Sequence, residues 1–88
     1  MILTVQGRVV SVEDVVSFKH GNRTNQYRNL VLEVDGDYLS VTAWNNKMSL
    51  IQDLLTDVQV QALIEVVSNR NNNDTTLWYH KVTLQKLL

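Results

Sequence analysis

The chain of 88 residues contains no cysteine and no proline. Without cysteine there is no disulfide, no thiolate zinc site and no thiol nucleophile. No proline-, glycine- or serine-rich stretch marks a linker. Only three glycines are present, and none belongs to a phosphate-cradling loop. Histidine is limited to His20 and His80, far apart in sequence and without an obvious carboxylate partner. No acid–base pair is evident, so an enzyme is not expected and no cofactor is implied. No apolar run is long enough to span a bilayer. The opening MILTVQGRVV lacks the charged and long apolar regions of a signal peptide. A cytoplasmic protein with no membrane partner is therefore expected. Excess charge is lacking too: 8 Lys and Arg against 9 Asp and Glu leave −1. Nucleic-acid binders are usually basic, and the whole-chain average is not.

What is present describes one domain over residues 1–88, with 44% apolar residues. A chain this short buries only about 60–65% of its unfolded surface, so one small core must suffice. Fourteen valines and seven threonines bias it toward strands. The charge is also segregated. Residues 1–32 hold four cations and two acids, 33–65 one cation and six acids, and 66–88 three cations and one acid. An acidic middle lies between two basic flanks.

Hydrophobic alternation predicts the elements. Residues 2–12 form a first strand with Leu3, Val5 and Val9 on one parity. Gly7 interrupts that parity and marks an expected bulge or bend. Val15, Val16 and Phe18 extend the strand after a kink, and residues 19–26 are a polar loop. Residues 27–34 are a strand with Leu30, Leu32 and Val34 inward. Asp35-Gly36 then makes a two-residue hairpin link. The next strand, 38–44, points Leu39, Val41 and Ala43 inward and Tyr38, Ser40, Thr42 and Trp44 outward. Residues 46–55 predict a short amphipathic helix with Met48, Ile51 and Leu55 inward and Asn45 or Asn46 as N-cap. Strands over 58–67 and 77–87 enclose a polar loop at 68–76. Five strands with one helix between the third and fourth predict an all-β, five-stranded OB-fold Greek-key barrel.

The segments LTVQGRVVSVED, NLVLEV, YLSVTAWNNKMSLIQDLL, VQVQALIEVVS and WYHKVTLQKLL together resemble the bacterial and phage single-stranded-DNA-binding protein family. The resemblance spans nearly the whole chain, to a short form without the family's acidic tail. It implies sequence-tolerant binding of single-stranded DNA in replication, recombination or repair. It also implies a homo-oligomer, dimer or tetramer, in a bacterium or a phage-infected cell. Two aromatics six residues apart stack on bases in that family, and Tyr38 and Trp44 match them. Where the family usually carries glycine, this chain has Asn45 and Asp57.

Candidate contacts follow from residue type. Bases stack on aromatic rings without sequence readout, which selects Trp44, Tyr38 and Tyr27. Phosphates need cations, which selects Lys19, Arg23 and Arg28, Arg28 sharing the inward parity and so sitting at the rim. Arg8 on the outer parity and Arg70 in the 68–76 loop are further phosphate candidates. Thr42 supplies an outward hydroxyl. Of Trp78 and Tyr79 one packs inward and the other extends the surface, with Tyr79 favoured. The alternatives are RNA as the ligand, or an interaction module, primosome-like or structural, whose aromatics lie in a subunit interface. No metal site is implied.

Overall fold

The computed structural model describes residues 1–70 and 78–88, and only the backbone of residues 69, 70, 78 and 79. The strands are β1 (Ile2–Val12), β2 (Val16–His20), β3 (Arg23–Val34), β4 (Asp37–Trp44), β5 (Gln59–Arg70) and β6 (Trp78–Leu87). They form one sheet in the order β1-β5-β6-β4-β3-β2, and an added β1–β3 pairing closes it. The result is a closed five-stranded OB-fold barrel of β1, β3, β4, β6 and β5. Strand β2 hangs on β3 outside the closed part. Among the described residues no helix is long and apolar enough to cross a membrane.

The core follows the predicted parities. Val9, Leu30, Leu32, Val41, Ala43, Ala62, Ile64 and Leu84 are buried together, and Ile51 seals one end. Each comes from the alternating set of its strand, because successive side chains point to opposite faces. The Asp35-Gly36 link is the expected hairpin, with Val34 paired to Asp37 and positive φ at both turn residues (52° and 86°).

Several expectations are corrected. The loop expected at 19–26 is mostly strand: β2 and β3 pair from Val16↔Tyr27 to His20↔Arg23 around Gly21-Asn22. A Gly-Asn pair is itself a two-residue hairpin signal, and Gly21 takes φ 63°. Val16 and Phe18 thus belong to a separate strand, not to an extension of the first. Residues 68–70 likewise continue β5 instead of opening a loop.

The helix expected over 46–55 is a six-residue 3₁₀ helix, Asn45–Leu50, with no side-chain cap. Ile51 N–H donates to the Met48 carbonyl at 3.1 Å, and Leu54 N–H to that of Ile51 at 3.2 Å. Met48, Ile51 and Leu54 recur every third residue, and these successive i→i+3 turns, the last of them beyond the helix, bring all three to the core. Leu55, expected inward, is 72% exposed.

Gly7 is not a bulge. The register shift falls between Val9 and Ser11. Gly7 instead lies where β3 passes too close to β1 to leave room for a side chain. A Cβ there would lie 2.7 Å from the Glu33 carbonyl oxygen and 2.9 Å from Val34 Cγ2.

Asn45 and Asp57, the two residues standing where glycine was anticipated, have φ of 47° and 65°. Asn and Asp tolerate this left-handed region better than other non-glycine residues. Each also uses its side chain: Asn45 Oδ1 accepts the Gln26 N–H at 3.0 Å, and Asp57 accepts from Arg8. Asn45→Ala combines left-handed strain with loss of that acceptor. It should lower unfolding free energy by about 1–2 kcal/mol, measured by urea denaturation, with Asn45→Gly losing less. An alanine variant as stable as the parent would contradict this.

Candidate nucleic-acid interface

Cross-strand pairing decides which side chains share the outer face, because directly opposed residues point the same way. Trp44 opposes Tyr27 and Thr42 opposes Asn29. Tyr27 in turn opposes Val16. Phe18 lies on β2 two residues beyond Val16, on the same face.

Three rings therefore gather at one end of the barrel's outer face. Tyr27 and Trp44 have centroids 5.0 Å apart and are tilted by 46°. Phe18 meets Trp44 edge-on at 6.0 Å and Tyr27 at 6.1 Å. Such pairs contribute about 0.5–1.5 kcal/mol each beyond area burial. They hold the β2–β3 hairpin against the barrel, as does the Gln26–Asn45 hydrogen bond. Trp44 and Tyr27 are half-buried and Phe18 is exposed. The ammonium of Lys81, from β6, lies 5.8 Å from the Trp44 ring centroid, within cation–π range. Phe18 and Lys81 were not selected from sequence. The Gly-Asn hairpin signal would have found Phe18, whereas Lys81 needed the parallel β4–β6 pairing of Thr42 with Thr83.

The other expected residues are distributed as follows. Arg23 opposes His20 at the hairpin tip, on the same parity as Phe18. Lys19 opposes Thr24 on the reverse parity, away from the rings. Arg28 opposes buried Ala43, and its Nε donates to the Glu13 carbonyl at 2.9 Å, a rim position as its parity requires. The Thr42 hydroxyl is engaged, donating to Asn29 Oδ1 at 2.8 Å. Tyr38 is on the outer parity and 69% exposed, but it sits at the opposite end of β4 from Trp44. Arg70 and Tyr79 pair in the backbone ladder with Trp78 and Asn69. Their side chains, and residues 71–77, lie outside the described residues.

Arg8 faces outward, as expected, but its guanidinium is already engaged. It donates to Glu33 Oε2 at 2.9 Å and to Asp57 Oδ1. The hydrogen bond to Glu33, then that to Asp57, raises its pKa above the ordinary arginine value. Its charge is balanced twice over, so Arg8 is an internal tie between β1, β3 and the β5 approach and not a free phosphate ligand.

Ser68 Oγ and His80 Nδ1, paired across β5 and β6, lie 2.7 Å apart. Among the described residues no group of three or more His, Asp or Glu side chains is arranged to hold a metal. Comparison with family models, curated proteins and solved structures gives no match to this chain. The fold and the outer-face geometry are therefore the ground for assigning a function.

Proposed function

We propose that the chain binds single-stranded DNA without sequence preference, in replication, recombination or repair. The observation that carries this reading is the aromatic group of Trp44, Tyr27 and Phe18, with Lys81 beside Trp44, on the outer face of an OB-fold barrel. That face and its flanking loops are where such barrels take oligonucleotides. Rings supply sequence-tolerant stacking, and Lys81, Arg23 and the hairpin supply cations for phosphate. The near-neutral average charge does not oppose this, because the carboxylates concentrate elsewhere.

Titrating the protein with oligo-dT while following tryptophan emission tests the reading. Quenching is expected at low salt. With about three cations engaged, the logarithm of affinity should fall against that of salt with a slope of roughly −2. Absence of both quenching and binding at low salt would overturn it. Oligo-U in parallel measures whether RNA is bound equally, since stacking alone does not read the 2′-hydroxyl.

One observation favours a second reading, an interaction or oligomerisation module. All of β2 is exposed, it lies at the end of the sheet, and it presents Val16 and Phe18. An apolar edge strand invites pairing with another chain. Light scattering on the parent and on Phe18→Ser separates the readings: an oligomer that dissociates in the variant, with no oligo-dT binding in the parent, selects the module.

A further inference from the structure

We propose that the nucleic-acid footprint is confined to the Trp44 end of the outer face, and that Tyr38 takes no part in it. One chain then holds a short single-stranded segment of about four nucleotides, the low end for an OB fold. Its preferred ligands are short exposed stretches such as gaps, ends and loops. This rests on the single-stranded-DNA reading above.

The two ends of β4 differ in charge. Tyr38 opposes Glu33, and Asp37 opposes Val34 beside the Asp35-Gly36 turn. Arg8 joins Glu33 and Asp57 at the same end. Among the described side chains, four carboxylates (Glu33, Asp35, Asp37 and Asp57) thus face one guanidinium, a balance of −3. At the Trp44 end Arg23, Arg28 at the rim and Lys81 stand against Glu13 and Asp14 at the β1–β2 junction, a balance of +1 from three cations and two acids. Tyr38 and Trp44 are six residues apart, about 20 Å along a strand. That is about twice the screening length at 0.1 M salt, so cations at one end do not offset carboxylates at the other. A phosphate brought to Tyr38 meets a net negative surface whose only described arginine is already paired. Exposure of the Tyr38 ring does not overcome that repulsion, because a base cannot stack there without bringing its phosphate.

The middle of the face reinforces the boundary. Thr42 and Asn29 are tied to one another, and from there to Tyr38 the outward residues of β3 and β4 are Val31, Ser40 and Glu33. None is a cation or a ring.

The test is a length series of oligo-dT, from about three to about fifteen nucleotides, against the parent, Tyr38→Ala and Lys81→Gln. Tyr38 is exposed, so its truncation leaves the barrel intact. Affinity per site, corrected for overlapping registers, should rise to about four or five nucleotides and then level. Tyr38→Ala should bind within about twofold of the parent, and Lys81→Gln several-fold more weakly. A Tyr38→Ala loss as large as that of Trp44→Ala, or affinity per site still rising beyond about eight nucleotides, would overturn the short footprint while leaving DNA binding intact. A parent protein that binds no length overturns the DNA reading itself, and the footprint with it.

Discussion

Trp44→Ala is expected to weaken oligo-dT binding by about tenfold or more, the loss of one base stack at about 1–3 kcal/mol. It is also expected to loosen the β2–β3 hairpin, because Trp44 is the ring that both Phe18 and Tyr27 touch. The two effects are separable. Amide exchange in residues 16–27 reports the hairpin, and titration reports the ligand. Trp44→Phe keeps a ring against Phe18 and Tyr27 but offers a base less area. It should restore most of the hairpin protection and only part of the affinity. If Trp44→Ala binds oligo-dT as the parent does, Trp44 is a hairpin anchor and nothing more.

Gly7→Ala should be the most damaging single methyl in the protein. The added Cβ meets a backbone carbonyl, Glu33 O at 2.7 Å, and not the end of a flexible side chain. Relief requires β3 to move away from β1 at the crossing that closes the barrel, next to the Arg8–Glu33 pair. Overpacking of this kind costs about 1–3 kcal/mol. The smaller unfolded-state entropy of alanine returns only about 0.4–1 kcal/mol. A net loss of about 1 kcal/mol is a noticeable share of the stability of so small a domain. Urea unfolding should show a lower midpoint with an unchanged slope. A midpoint equal to or above the parent's would show that β3 yields at no cost.

The barrel was legible in the sequence because its core is written in period-two alternation. Leu30, Leu32, Val41, Ala43, Ala62 and Ile64 can face only one way once each strand is recognised. The Asp35-Gly36 turn was legible for the same local reason. What alternation does not carry is pairing. The polar run KHGNRTNQ looks like a loop until Gly21-Asn22 is taken as its turn, since both faces of that hairpin are solvent-exposed at the tip and show no apolar period. Gly7 illustrates the same limit: its spacing signals a special backbone position, but only the β1–β3 crossing says that the demand is for space. The helix was misjudged because Met48, Ile51 and Leu54 fit three residues per turn as well as Leu55 fits a longer one.

The candidate site divided along the same line. Residue type selected Trp44 and Tyr27, and the structure brings them together. It does not bring Tyr38 to them, although parity puts all three on one face, because parity carries no information about distance along a strand. Arg8 was chosen by its charge and outer parity, and neither Glu33 nor Asp57, distant in sequence, announces that it will hold it.

The parallel seam between β4 and β6 has a last consequence. These two strands are joined through a single register pair, Thr42 with Thr83, whereas β3 and β4 are paired continuously from Tyr27–Trp44 to Val34–Asp37. The wall of the barrel is thus thinnest along the line that separates Trp44 from Lys81. On the proposed reading, a strand stacked on Trp44 with its phosphate on Lys81 would bridge that line and act as a clasp across it. Bound ligand would then add to the stability of the barrel at its most sparsely paired seam.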